Sequence, residues 1–357
     1  MSNKNALVIS GGGSKGAYAV GVLDTFNQKA PNLKFDVFVG TSTGSLITPF
    51  MALGRLSTLI HIYTTTTTDM VVRQKNDTPS FNQSSLYSTA PLFKLINDNL
   101  SDNDCMDLIN SPDKEIHLIT TCLQTEKPTI FSNRDLPASK SGIYDVIRFQ
   151  NGEHFKKAML ASANQPVFMP PVRVNRGILN GPEANYQYVD GGVMDYAGIE
   201  IGMDSQADNI YTIYLSKEGS TPDTKMYTNL LKILGETVGI LTGNVGTTDL
   251  RIPHIQNTAL EYIQQAKDNL LNQGVSQSQI DQAFNISIPN QEFLFRPPYK
   301  MHMIRPTQEL KAGAQGLDFN PTDMKAMMKL GREDGQQFLD GLAITCLLYT
   351  SPSPRDA

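Results

Sequence analysis

Long apolar runs are missing from this chain. No stretch of eighteen apolar residues occurs anywhere in it, so no membrane-spanning helix is expected. The first apolar segment, Ala6 to Ser10, is far too short for the core of a signal peptide and runs at once into three glycines, which leaves a cytoplasmic location as the expectation. Cysteine is scarce as well. Cys105, Cys122 and Cys346 form neither a disulfide framework nor a metal-ligand pattern. No lysine- or arginine-rich block occurs, and the formal net charge is -5, so the electrostatic footprint of a nucleic-acid binder is absent. Nor does an internal repeat or a linker divide the chain.

What is present suffices for a folded core. A hydrophobic content of 40% over 357 residues supports one large α/β domain or two medium ones. The stretch from Cys346 to Asp356 matches what one reading frame of a sequencing adapter would encode, so residues 346–357 are read as an assembly scar and set aside.

The apolar pattern alternates. Ala6 to Ser10 is short, rich in branched residues and bounded by glycine, which predicts a buried strand. Gly11-Gly12-Gly13-Ser14-Lys15-Gly16 then leads into a stretch whose Val20, Leu23 and Phe26 suit a helix packed on a sheet. A second apolar run from Phe35 to Val39 and a helical stretch from Leu46 to Leu56 repeat the unit. This order predicts a parallel sheet covered on both faces, with reacting groups at the C-terminal ends of its strands. Residues 115–122 and 128–131 read as a strand pair, 153–163 as a helix, and 186–190 and 209–215 as strands. The polar stretch 64–90 reads either as a mobile cap or as a solvated connection. Met226, Leu230, Ile233 and Leu241 mark one amphipathic helix, and Ala259, Ile263, Ala266 and Leu270 a second; such stripes are expected to face a core, with lipid contact by the first as the alternative. Asn320 and Pro321 open the last helix, with Met324, Met327, Met328 and Phe338 available inward.

Gly40-Thr41-Ser42-Thr43-Gly44 lies where a strand turns into a helix, the context of a nucleophile elbow. By composition alone Gly-x-Ser-x-Gly occurs in roughly one chain in ten of this length, so the motif needs company. Ser42 is the candidate nucleophile, and the flanking Gly40 and Gly44 would permit the strained turn and close approach of a substrate. A serine nucleophile needs a base, and none of His61, His117, His154, His254 and His302 lies in a glycine-bounded strand end. His254 and His302 follow Asp190 in the chain order of Ser-His-Asp hydrolases, which keeps that alternative open. Asp190 ends a strand and precedes two glycines, which suits either a base pointing at Ser42 or a simple Asp-Gly turn. The loop Gly11, Gly12 and Gly13 can converge backbone N–H groups on an anion at a helix N-terminus. It is no P-loop, because Ala17 and Tyr18 follow Gly16 where Lys and Ser/Thr would be needed. Lys15 assists through charge or caps the helix; the residues leave both open.

Taken in order, Gly-Gly-Gly-Ser-Lys-Gly, Gly-Thr-Ser-Thr-Gly, the Ala161-Ser162 segment with Pro166, Pro170 and Pro171, and Asp190-Gly191-Gly192 resemble the patatin-like phospholipase family. The resemblance implies an α/β fold, a three-layer α/β/α sandwich with a mostly parallel central sheet, over one domain at 5–343 with a motif-bearing core at 5–216 and a mostly helical part at 217–343. It also implies a lipid acyl hydrolase with a Ser-Asp dyad and no cofactor or metal. Ser42 corresponds to the nucleophile, Asp190 to the base, and Gly11, Gly12 and Gly13 to the oxyanion hole. The implied partners are a phospholipid or other acyl-lipid substrate and, transiently, a membrane surface; a non-catalytic lipid-binding module is the rival from another class. One departure stands out. Many relatives continue past Asp-Gly-Gly into an Asn-x-Pro turn, whereas this chain reads Val193-Met194-Asp195-Tyr196-Ala197.

Overall fold

The computed structural model describes residues 3–75, 84–136, 143–175, 182–219, 226–285, 298–313 and 316–350. The chain begins with β1 (Asn5–Ile9), α1 (Gly16–Lys29), β2 (Val37–Thr41), α2 (Thr43–Ala52) and α3 (Leu56–Thr65). A short ribbon, β3 (Arg73–Gln74) with β4 (Tyr87–Ser88), precedes α4 (Ala90–Asn99) and α5 (Asp102–Ile109). Then come β5 (Glu115–Cys122), β6 (Lys127–Ser132), β7 (Asp145–Arg148), α6 (Gly152–Ala163), β8 (Val172–Arg173), β9 (Gln187–Asp190), α7 (Ile199–Asp204) and β10 (Asn209–Ile213). The last part holds α8 (Leu230–Asn272), α9 (Gln277–Phe284), β11 (Lys300–Ile304) and α10 (Pro321–Thr350). Residues 76–83 of the stretch expected as cap or connection, and 351–357 of the expected scar, lie outside the described residues.

The central sheet runs β11-β10-β1-β2-β5-β6-β7. From β11 to β5 all neighbours are parallel; β6 then turns back against β5, as the expected strand pair requires. Strand β1 shows why the sheet is covered twice. Its alternate residues Leu7 and Ile9 enter one apolar core with α1, α2, α6 and α10, while Ala6 and Val8 enter another with Ile199, Ile201 and Met203 of α7. Helices therefore lie on both faces of a mostly parallel sheet, and the α/β/α expectation holds. Helix α10 is clamped to α1 by Arg332 on Asp24 at 2.7 Å and by the Tyr18 hydroxyl on Asp334 at 3.1 Å, with Met324, Met327 and Met328 buried between them.

Two expectations need correction. The helices read at 226–241 and 259–270 are one helix, α8, which carries Pro253 inside it. Its aliphatic stripe also faces outward. Met226, just ahead of α8, is 87% exposed, and Ile233, Ile240 and Leu241 are exposed as well. The inward side instead bears Gly235, Gly246, Asn257 and Leu260, because α8 lies against aromatic rings: a Cβ at Gly235 would stand 3.0 Å from Phe168, and one at Gly246 only 2.2 Å from the Tyr214 hydroxyl. Rings that close admit only small residues, so the bulky ones point away. Among the described residues no helix is long and apolar enough to cross a membrane.

Candidate active site

Ser42 sits between β2 and α2 with φ 55 and ψ -122, a conformation that costs a non-glycine residue of order 1–3 kcal/mol. Its surroundings hold it there. The Ser42 N–H donates to Ser162 Oγ at 3.0 Å, Ser162 Oγ donates to the Ile119 carbonyl at 2.6 Å, and Ser45 Oγ donates to the Ser42 carbonyl at 2.6 Å. The flanking glycines are sterically required: a Cβ at Gly44 would lie 2.0 Å from the Ile9 carbonyl oxygen, and one at Gly40 2.5 Å from the Gly44 backbone. Since both obstacles are backbone, Gly44→Ala is expected to lower the thermal unfolding midpoint by many degrees or to give insoluble protein; an unchanged midpoint would refute the close packing of α2 on β1.

Asp190 reaches Ser42 by an arrangement that local pattern does not reveal. β2 pairs with β5 only as far as Thr41 opposite Ile119. β9 takes over the vacated edge of β5 from the opposite direction, pairing Asp190 with Thr120. The residue after the end of β2 and the last residue of β9 thus meet at the same level. Asp190 therefore lies beside Ser42 at the sheet edge, on a strand antiparallel to β5. Burial drives the Asp190 carboxyl pKa up to about 6, while hydrogen bonds from the Ser42 hydroxyl and from the Gly192 N–H, the latter at 2.8 Å, pull against the rise. An acid of that strength is largely ionised at neutral pH and still able to take a proton.

Gly11, Gly12 and Gly13 run past this pair into α1. A Cβ at Gly11 would stand 3.2 Å from Ser42 Cβ, so the loop touches the elbow directly. Gly13, at φ 58, packs against the backbone of Gly316, whose own φ is 73. Among the described residues, none accepts a hydrogen bond from the N–H of Gly12, Gly13 or Thr43. Lys15 follows the loop half-buried; burial lowers its pKa, opposed by the charge of Glu309, and among the described residues it forms no ion pair.

Two cavities meet at Ser42. One is apolar, lined by Leu46, Phe50, Leu59, Leu95, Ile96 and Met169 among others. The second is mixed: it includes the ionisable Asp190, Lys15, Lys217, Glu236 and Arg305 beside Val193, Val238 and Ile240. None of the five histidines lines either cavity. His117 is sealed between Ser132 and Ser205, with burial lowering its pKa, and His302 stacks on Tyr211 at 4.4 Å. His254 sits on the exposed side of α8. Among the described residues no cluster of His, Cys, Asp or Glu could hold a metal ion.

Residues 7–202, more than half of the chain, match the family model of patatin-like phospholipase. The chain belongs to the patatin-like phospholipase family. The family is one of lipid acyl hydrolases acting on lipid substrates, and membership suggests that class of activity. The crystal structure of VipD from Legionella pneumophila is similar to this patatin-like chain at 11% identity and a TM-score of 0.36, over 96% of this chain and 67% of that one. No curated protein matches it by sequence.

Sequence reasoning passed over four residues that shape the site. Ser162 and Asn164 were visible only as part of a motif; Ser162 fixes the elbow, and the Asn164 carbonyl accepts the Asp190 N–H at 2.9 Å. Tyr196 lay in the segment that departs from the family pattern but was given no role, and Asp249 carried no signal. The unusual turn after Gly192 is closed by the Asp195 carboxylate accepting the Gly198 N–H at 2.7 Å, and by Asp249 of α8 accepting the N–H of Tyr196 at 2.6 Å and of Ala197 at 3.2 Å. Burial pushes both carboxyl pKa values up, and the charge of Asp249 raises that of Asp195 further.

Proposed function

We propose that this chain hydrolyses carboxylic esters of phospholipids or related acyl lipids, with Ser42 as nucleophile and Asp190 as base. The observation that carries the proposal is the position of Ser42 where an apolar cavity meets one that holds charged side chains, since an acyl ester has a hydrocarbon chain on one side of its carbonyl and a polar alcohol on the other. Asp190 takes the hydroxyl proton as Ser42 attacks the carbonyl carbon. The oxyanion is held by the N–H groups of Gly12 and Gly13, which have no other acceptor among the described residues. Asp190 then passes its proton to the departing alcohol, leaving an acyl-serine. Water, deprotonated by Asp190, attacks the acyl carbonyl, and the proton returns to Ser42 as the fatty acid leaves. The sequence needs no cofactor.

The charged side chains of the second cavity suit a phosphorylated headgroup. Lys15, Lys217 and Arg305 follow the C-terminal ends of three neighbouring strands, β1, β10 and β11, and form a cationic wall beside the strand that carries Ser42. The exposed Ile233, Ile240 and Leu241 of α8 give the same side of the molecule an apolar surface for contact with a lipid interface. Incubation with phospholipid vesicles, followed by mass spectrometry of the products, is expected to show free fatty acid and lysophospholipid. Release of neither from phospholipid or from simple acyl esters would overturn the proposal.

The apolar cavity makes a separate prediction. Leu95 is half-buried in its wall, so Leu95→Trp should shorten the acyl chain accepted and lower the ratio of long-chain to short-chain ester hydrolysis by about tenfold. An unchanged ratio would place the acyl chain elsewhere.

A further inference from the structure

One aromatic ring joins the glycine loop, the Asp190 turn and α8. A Cβ at Gly11 would stand 3.0 Å from Tyr196 Cε2, one at Gly192 3.0 Å from its Cδ2, and one at Gly246 2.9 Å from its Cδ1. Three glycines from three separate parts of the chain thus make room for the same side chain. Polar bonds reinforce the contact. The Tyr196 hydroxyl donates to the Gly11 carbonyl at 2.6 Å, and the Gly11 N–H donates to the Tyr196 carbonyl at 3.3 Å. Asp249 of α8 holds the Tyr196 backbone from the other side. The ring also packs edge-on against Tyr214, with centroids 5.5 Å apart.

Resting on the hydrolase function proposed above, we infer that Tyr196 is a positioning residue for the oxyanion hole, anchored by Asp249. The Gly11 carbonyl and the Gly12 N–H belong to one planar trans peptide and point to opposite sides of it. Fixing the carbonyl with the phenol therefore fixes the direction of the N–H. A hydrogen bond to the carbonyl also polarises the peptide and strengthens its N–H as a donor. Glycines at 11, 12 and 13 leave the loop free to rotate its peptides, so donors to the Gly11 carbonyl hold one orientation, the Tyr196 phenol at 2.6 Å being the shorter and the neighbouring Ser10 hydroxyl at 3.2 Å the longer. Helix α8, through Asp249 and Gly246, thereby reaches the chemistry without touching the substrate's reacting atoms. After Asp190-Gly191-Gly192 the chain continues through Val193, Met194 and Asp195, and Tyr196 then links this loop to the glycine loop.

Tyr196→Phe removes one oxygen and keeps the ring. The expected result is a kcat about tenfold lower on a short acyl ester with KM unchanged, and a parallel tenfold weakening of a trifluoromethyl ketone inhibitor, whose adduct with Ser42 carries an oxyanion. A merely structural role would not move kcat and inhibitor affinity together at constant KM. Unchanged kcat, or a lower kcat with inhibitor affinity intact, would overturn the inference. Should the variant lose its folded midpoint, Asp249→Ala provides the second measurement, with the same paired loss expected and the same two outcomes overturning it. Wild-type turnover tests the hydrolase function separately, because the inference is judged on the ratio of variant to wild type.

Discussion

Ser42→Ala is expected to abolish hydrolysis of fatty-acyl esters, with kcat lower by at least about 10⁴-fold and no labelling by a fluorophosphonate probe. The loss should come without unfolding. The residue is only 6% exposed, and the bonds that hold the elbow use its N–H and carbonyl, both of which alanine retains. Alanine at φ 55 is strained as serine is, so the thermal midpoint should change little. Turnover within tenfold of wild type would remove Ser42 from the mechanism. Loss of labelling together with loss of the folded baseline would call for Ser42→Cys, which keeps a nucleophile of similar size.

Asp190→Asn should combine two opposite effects. Turnover falls by about 10²- to 10⁴-fold because the amide takes no proton. Stability rises, and the sign follows from the direction of the shift. The folded-state pKa, about 6, lies above the reference value of 3.8, so the group favours folding at low pH and that contribution is lost as pH rises through 6. At pH 7 the native state carries a buried carboxylate, whereas the asparagine variant does not and can still accept the Gly192 N–H. A midpoint a few degrees higher at pH 7, with the difference vanishing below pH 4, is therefore expected in thermal unfolding. The same pKa sets the wild-type profile: kcat/KM should climb with pH through about 6 as the base ionises. A flat profile across that range, or an equally active asparagine variant, would take Asp190 out of the base role.

Much of this site was legible early because its parts are local. The elbow is five consecutive residues between an apolar run and a helix, and steric demand at Gly40 and Gly44 arises within that turn and from the strand next to it. The glycine loop is likewise contiguous, from Gly11 to Gly13. Other parts had no local signature. β11 was missed because its residues are mostly half-exposed and its Lys-Met-His-Met-Ile sequence shows no clean apolar alternation. Helix α8 was read with the wrong face inward, since an aliphatic stripe normally marks a core; here the neighbours are rings that demand small residues.

By itself the sequence determined the order of elements, the strained turn at Ser42, the glycine loop ahead of α1 and the resemblance carried by the ordered motifs. These depend on the near-neighbour sterics and the two hydrophobic periods, which any short window of residues expresses. Only the tertiary structure decided that β9 enters antiparallel on the edge of β5 that β2 vacates, which brings Asp190 to Ser42 across 148 positions of sequence. It alone decided that an apolar cavity and one holding charged side chains meet there, and that Tyr196 and Asp249 tie α8 to the glycine loop. Those are pairings between distant residues, set by register and by which ring fits against which glycine, and no local pattern contains them.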